Sequence, residues 1–339
     1  MNIPLYKTYW DKDDVEAVTR IIERGMWWAG GKENTELEGK IARYAGVKHG
    51  VSVNSGTSAL NGIMLAYRLG VGDEVIVPSF TYPPTVNAVK YVGATPVFAD
   101  IEEERFGLDP EDVKKRITDK TRAIIAVHVY GLPCRISELA EIAEDNNLLL
   151  IEDAAEAIGA EEYGKKVGGF GDASIFSFAG NKIISTGEGG MVVTNDEIMR
   201  ERLRAIRSKH SWRMSTILAS LGLSQFNKIE QVINARIICA KYLTNGLEFI
   251  DGINPPVEPD GISHTYQFYT IKTGHRDKLK DCLEEHGITT KIYFPPIMNG
   301  LPVTDMVSRR VLTLPLYPEL TMDEMNYMLE TINSINNTL

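Results

Sequence analysis

From residue 49 to residue 151 short, uninterrupted apolar runs alternate with helical stretches, and no other feature of the 339-residue chain limits its fold so tightly. The runs cover 50–54, 74–77, 95–100, 122–128 and 148–151, and residues 59–69, 84–91, 110–117 and 136–146 read as helices between them. A strand that is apolar along its whole length, rather than at every second position, needs cover on both faces. Alternation with helices therefore predicts a mostly parallel central sheet between helical layers. Right-handed crossovers make this a doubly wound α/β domain, which binds its ligand at the carboxyl ends of the strands.

The flanking regions extend this plan. Residues 11–24 read as an amphipathic helix with Val15, Val18, Ile21 and Ile22 on one face, and 34–45 as a second helix. The glycine-rich loop 25–31 sets Trp27 and Trp28 side by side, over a pocket, against a partner subunit or in the core. Residues 196–208 and 215–249 read as helical. The proline-rich segment 251–260 is the expected boundary between a large domain, 1–250, and a smaller C-terminal α+β domain, 251–339. That second domain is expected to hold strands at 265–272, 290–292 and 311–314, a helix at 275–286 and a final helix from residue 323.

Composition narrows the function classes. With 43% hydrophobic and 24% charged residues the chain can build a full soluble core. Its net charge of −10 argues against nucleic acid and anionic membranes as partners. Cys134, Cys239 and Cys282 lie far apart and no two histidines stand at ligand spacing, so no metal site is expected. Sparse cysteines, the absence of a signal-like segment and the lack of any apolar run of membrane-spanning length make a cytoplasmic protein the expectation.

Four stretches carry chemistry. Lys182 stands in Ser177-Phe-Ala-Gly-Asn-Lys-Ile-Ile-Ser-Thr-Gly-Glu-Gly-Gly190, far in sequence from any other cation. A lysine taken out of water loses its proton more readily and can bond a carbonyl as a Schiff base, whereas one that snorkels from a loop does neither. Ser55-Gly-Thr-Ser58 lies at a strand-to-helix junction, where backbone N–H groups and hydroxyls can cradle a phosphate or merely cap a helix. Asp153 ends an apolar strand and can pair with the protonated nitrogen of a pyridine ring or cap the next helix. Phe80 or Tyr82, after another strand, can stack on an aromatic ring or sit in the core. Ser177, five residues before Lys182, adds a hydroxyl for the phosphate. Taken together these parts describe a pyridoxal 5'-phosphate site.

With those motifs in this order the chain resembles the DegT/DnrJ/EryC1/StrS sugar aminotransferases, fold-type I pyridoxal-phosphate enzymes. The resemblance rests on Ser55-Gly-Thr-Ser-Ala-Leu60, Val77-Pro-Ser-Phe-Thr-Tyr82, Val97-Phe-Ala-Asp100, Ile151-Glu-Asp-Ala-Ala-Glu156 and Ser177-Phe…Lys182…Gly187-Glu-Gly-Gly190. Gly180-Asn-Lys182 with Thr186-Gly-Glu-Gly-Gly190 resembles the branch that makes perosamine from a GDP-linked 4-keto sugar. It implies that Lys182 bonds the cofactor and moves protons, that Asp153 faces the pyridine nitrogen, that Tyr82 stacks on the ring and that Gly56, Thr57 and Ser177 hold the phosphate. Glu156 occupies a position beside the ring. The implied donor is glutamate, the implied acceptor a nucleotide-linked keto sugar, and the implied assembly a homodimer with shared active sites.

Several positions depart from the family's pattern. Ser211-Trp-Arg-Met214 stands where the family usually has Asn-Tyr-Arg-Met, the Asn reaching the neighbour's phosphate; loss of such a contact costs about 1.5–3 kcal/mol. Thr216-Ile-Leu-Ala219 replaces Asn-Ile-Gln-Ala, and Lys291-Ile-Tyr-Phe-Pro-Pro296 replaces an Arg-Pro-like element before a short segment leading to Arg309 and Arg310. Two alternatives share the fold: a pyridoxal-phosphate sugar dehydratase, one branch of which has histidine in place of Lys182, and a cofactor-binding regulatory protein without turnover.

Overall fold

A computed structural model describes residues 1–25 and 27–336. Its centre is a seven-stranded sheet in the order β1-β9-β8-β5-β4-β2-β3. The strands are β1 (His49–Val53), β2 (Glu74–Pro78), β3 (Thr95–Ala99), β4 (Thr121–Val127), β5 (Leu149–Asp153), β8 (Ala173–Ser177) and β9 (Gly190–Thr194). Strands β3, β2, β4, β5 and β8 are mutually parallel, while β9 runs antiparallel to both β8 and β1.

Successive residues of the central strands feed opposite layers, as the two-residue period of a strand requires. Val75, Val77, Ala123, Ile125 and Val127 pack under α3 (Gly56–Ala66), α4 (Pro83–Tyr91) and α7 (Glu197–Lys209). Ile76, Ile124 and Ala126 point the other way, onto α5 (Pro110–Arg116) and α6 (Ile136–Asp145). At the β9 end, Met191 and Val193 are covered by α2 (Lys32–Tyr44), α8 (Thr216–Phe226) and α9 (Ile229–Leu247). Each fully buried aliphatic side chain of this kind contributes about 1.5–3 kcal/mol.

Helix ends follow local chemistry. Asp11 caps α1 (Lys12–Arg24) in a box with Asp14, and Gly25 ends it in the left-handed conformation. Asp196 caps α7 by accepting the Ile198 and Met199 N–H groups. Short hairpin strands β6 (Glu161–Glu162) and β7 (Lys165–Lys166) follow β5, and β6 also pairs with β11 (Ile262–Ser263).

A second core gathers the end of α9, β12 (Tyr269–Thr273), α10 (Arg276–Glu285), β13 (Val311–Leu314) and α12 (Met322–Asn336) around Tyr269, Ile271, Leu283 and Leu312. Its sheet runs β10-β12-β13, with β10 at Ile253–Asn254. Helix α11 (Pro302–Ser308) leads into β13. Ile3, from the opposite end of the sequence, is buried in this second core.

Four expectations need correction. The helix expected at 59–69 starts at Gly56, because Ser55 already caps it. The helical region 215–249 is two helices, broken where Lys228 leaves helical geometry and bonds Asp11 at 2.6 Å and Asp14 at 2.8 Å. The strand expected at 265–272 begins only at Tyr269, since Tyr266 turns the chain with φ 50°. At 290–292 there is a single bridge, Lys291 to Thr313, rather than a strand. The expected final helix is α12; its last residues, 337–339, lie outside the described part, as does Met26 of the tryptophan loop.

Candidate active site

The carboxyl ends of β1, β4, β5 and β8 surround a cavity of about 440 Å³. All seven side chains or backbone positions singled out from the sequence line it: Gly56, Thr57, Tyr82, Asp153, Glu156, Ser177 and Lys182.

At the β1 end, Ser55 is extended and its Oγ accepts the Ser58 N–H at 3.1 Å. Capping and cradle are therefore not alternatives here. The cap consumes the third N–H of α3 and leaves those of Gly56 and Thr57, which have no preceding turn to bond, at the cavity wall. Gly56 sits close to Ser177: a Cβ there would stand 3.1 Å from the Ser177 Cβ, so that side chain would have to give way. Ser177 consequently lies against the start of α3.

The acidic pair on β5 divides. Glu152 faces away from the cavity and accepts N–H groups from Gly168, Phe170 and Gly171 and the Ser174 hydroxyl, all within 2.8 Å. His128 accepts the Cys134 N–H on Nδ1 and so carries its proton on Nε2, 3.2 Å from Glu152. Asp153, 5% exposed, faces the cavity with fewer partners: the Thr85 hydroxyl at 2.7 Å and the Ala155 N–H at 3.2 Å. No cation forms an ion pair with it among the described residues. Burial pushes its carboxyl above the ordinary range, and the bonds from Thr85 and Ala155 offset this only in part.

Lys182 sits in the loop that closes the β8–β9 hairpin. Its side chain is 13% exposed and Nζ lies 3.1 Å from Glu156 Oε1. The other carboxylate oxygen, Oε2, accepts the Tyr130 N–H at 2.9 Å. The lysine isolated from cations in sequence is thus matched in space by one carboxylate, which a loop lysine reaching for water would not have.

The aromatic alternative resolves by burial. Phe80 is 0% exposed and packs edge-on against Tyr130 and Phe294. Tyr82, two residues on, is 64% exposed at the start of α4 and keeps its ring at the cavity. Sequence reading missed Tyr6, Thr85, and the cavity-facing orientation of Lys291 and Tyr293. These come from the N-terminus, helix α4 and the 291–293 segment, and only the folded chain brings them together.

Trp27 and Trp28 are both exposed rather than in the core, and their carbonyls accept the N–H and hydroxyl of Thr216 at the start of α8. Ser211 occupies an exposed turn with φ 59°, and the next residue's carbonyl accepts the Asn54 N–H at the end of β1.

The profile of the DegT/DnrJ/EryC1/StrS aminotransferase family matches residues 8–333. The chain belongs to that family. GDP-perosamine synthase of Vibrio cholerae is 35% identical over 99% of this chain and 98% of its own length. UDP-N-acetyl-3-dehydro-alpha-D-glucosamine 3-aminotransferase of Acidithiobacillus ferrooxidans is 36% identical over 87% of this chain and 86% of its own. A Streptococcus pneumoniae chain assigned as a sugar aminotransferase, solved in its PMP form, superimposes with a TM-score of 0.94 at 25% identity, covering 100% of this chain and 98% of that one. The family consists of pyridoxal-phosphate-dependent sugar aminotransferases, and this chain is an enzyme of that class.

The residues present suit the cofactor. A buried carboxylate with no ion-pair partner among the described residues suits a protonated nitrogen, the first N–H groups of α3 suit an anion, and an exposed tyrosine ring borders the same cavity.

Proposed function

We propose that this enzyme moves an amino group, supplied by glutamate, onto a nucleotide-linked keto sugar of the 4-keto-6-deoxy type. The reading rests above all on a lysine amine, held by Glu156, at a cavity that also contains Asp153, which has no ion-pair partner among the described residues, and the N-terminus of α3. Bound pyridoxal phosphate supplies a carbonyl to which amines bond and a protonated ring that withdraws electrons from the carbon bearing the amine. Gly56 and Thr57 N–H groups and the Ser177 hydroxyl hold the phosphate. Asp153 would keep a proton on the ring nitrogen, and Tyr82 would shield the ring from water. Lys182 Nζ would stand within reach of the cofactor's carbonyl and would carry a proton to and from the substrate carbon. Glu156 Oε1 orients that amine.

The preference for a 4-keto sugar rests on the similarity of Gly180-Asn-Lys182 and Thr186-Gly-Glu-Gly-Gly190 to the perosamine branch. In the same reading residues 1–250 bind the cofactor and 251–339 close over the substrate, bringing Lys291 and Tyr293 to its side of the cavity. The enzyme is a cytoplasmic homodimer with shared sites, for which the exposed Trp27 and Trp28 offer an apolar contact; no helix among the described residues is long and apolar enough to cross a membrane.

The test is a half-reaction. Glutamate added to the protein loaded with cofactor should shift its visible absorbance to that of the amine form and release 2-oxoglutarate, and a 4-keto-6-deoxy nucleotide sugar should reverse the shift. Lys182→Ala should leave no borohydride-trapped adduct. A spectrum that glutamate leaves unchanged would remove the donor, and with it this reading.

A further inference from the structure

The loop that presents Lys182 is fastened from outside its own hairpin. We propose that Gln267 is a positioning residue for Lys182, its carboxamide bridging the backbone on either side of the lysine and so fixing the direction from which Nζ enters the cavity. This rests on the reading of Lys182 as the amine that bonds the cofactor.

Gln267 is 1% exposed. Its Nε2 donates to the Asn181 carbonyl at 2.5 Å and its Oε1 accepts the Ile183 N–H at 3.0 Å. One side chain thus does for one residue what a neighbouring strand does for many: it satisfies the acceptor before Lys182 and the donor after it. Glu156 holds the amine end of the same residue. Thr8 adds a third fastening, its hydroxyl donating to the Gly180 carbonyl at 2.6 Å.

The base of the clamp is itself over-determined. Arg236, buried on α9, donates from Nε to the Tyr266 carbonyl at 2.9 Å and from Nη2 to those of Gln267 at 2.8 Å and Leu316 at 3.2 Å. It forms no ion pair among the described residues, so its guanidinium serves backbone carbonyls alone. Tyr266 holds a left-handed φ of 50°, a conformation that costs an aromatic residue energy and persists only under constraint. Its N–H donates to His264 Nδ1 at 3.0 Å, while the Thr265 and Phe268 N–H groups donate to the carbonyls of Gly131 and Tyr130. A residue needed only to fill space would not require this turn. Methionine has nearly the same volume and could make neither bond.

Two variants test the proposal. In cofactor-free Gln267→Met, amide hydrogen exchange over 181–184 should rise roughly tenfold, the loss of one buried hydrogen bond, while 173–177 and 190–194 stay protected. Loaded with pyridoxal phosphate, both Gln267→Met and Gln267→Glu should trap Lys182 with borohydride roughly tenfold more slowly than wild type. The glutamate variant should then recover relative to wild type as pH falls, because its protonated carboxyl regains a donor for Asn181; the methionine variant should not. Unchanged exchange in the loop, or equal loss of protection in β8 and β9, would reduce Gln267 to packing and overturn the proposal. So would a methionine variant that traps at the wild-type rate, or a glutamate variant without recovery at low pH. If Gln267→Met fails to fold, the pH response of Gln267→Glu decides. Failure of the wild-type protein to take up the cofactor would sink the functional reading, while the exchange arm still judges the clamp.

Discussion

Glu152 and Asp153 are neighbours on β5, both buried, and they end up in opposite circumstances. Glu152 turns to the back of the sheet and collects three backbone N–H groups, a hydroxyl and an imidazole, so the protein itself uses its whole acceptor capacity. Asp153 turns to the cavity and receives one hydroxyl and one N–H. Burial pushes both carboxyls up, but in Glu152 the bonds from His128, Gly168 and Gly171 more than reverse it, whereas Asp153 stays raised. Phe80 and Tyr82 repeat the division in apolar terms: one ring is consumed by the core and the other is left at the cavity. In each pair one side chain is used up by the protein's own contacts and the other is left at the cavity.

Exchanging partners within each pair should separate the two roles. Asp153→Asn should slow the glutamate half-reaction roughly 100-fold or more through loss of ring protonation while leaving thermal stability close to wild type. Glu152→Gln should do the reverse, losing about 2–5 kcal/mol of stability, because an amide turned either way points N–H at a backbone N–H. Stopped-flow spectra and denaturant titrations on the same two proteins check this, and a stable, active Glu152→Gln would break the comparison.

The aromatic pair gives a smaller contrast. Phe80→Ala should cost about 3–5 kcal/mol of stability. Tyr82→Ala should change stability by no more than ~0.5 kcal/mol yet weaken cofactor retention several-fold, measured by dialysis and absorbance. A Tyr82→Ala protein that holds the cofactor as tightly as wild type would remove that ring from the site.

The smallest effect is in pH dependence, where the two acids have opposite signs. Asp153 has a raised folded pKa, so the cofactor-free folded state holds a proton that the unfolded state has lost. Its stability cost is absent below the unfolded value near 3.8 and grows as pH rises through the raised folded value. Glu152 is lowered, so it contributes stability above the ordinary value of 4.5 and loses it as pH falls toward its folded pKa. Melting curves of the cofactor-free Asp153→Asn protein should therefore gain on wild type as pH rises from about 4 to neutrality. A parallel pair of curves would mean that Asp153 already has a partner.

Much of this architecture was legible because it follows from periodicity. Fully apolar runs fixed on Ile124, Ile125 and their neighbours imply a sheet covered on both faces, and the cavity lies at its strand ends as such sheets require. Five of the seven candidate positions, Gly56, Thr57, Tyr82, Asp153 and Ser177, were readable because each stands at a strand end or a helix start, where sequence and geometry are tied locally; Glu156 and Lys182 lie in the segments that follow β5 and β8. What could not be read depends on contacts between distant segments. Glu152 and Asp153 look alike in sequence, and the 168–171 turn, Ser174 and His128 distinguish them in the fold. Tyr266 has no sequence signature for its left-handed turn, so a strand was expected through it. Lys228 continues a helical pattern but leaves it for two aspartates that lie more than 200 residues away in the chain, at separations of 217 and 214. Gln267 likewise carries no local hint of the lysine it supports.

The fastenings of the Lys182 loop also bear on the order in which the molecule comes into being. Thr8 reaches Gly180 across 172 residues, and Gln267 reaches Asn181 and Ile183 across 86 and 84. Contacts of such range form after local ones, since the chain entropy lost in closing the long loop comes before the reward. A nascent chain that has emerged through residue 194 holds every strand of the central sheet, yet its lysine loop still lacks the clamp that Gln267 brings. In the proposed reading the lysine amine is therefore set in place late in folding, once both Thr8 and Gln267 have docked on its loop.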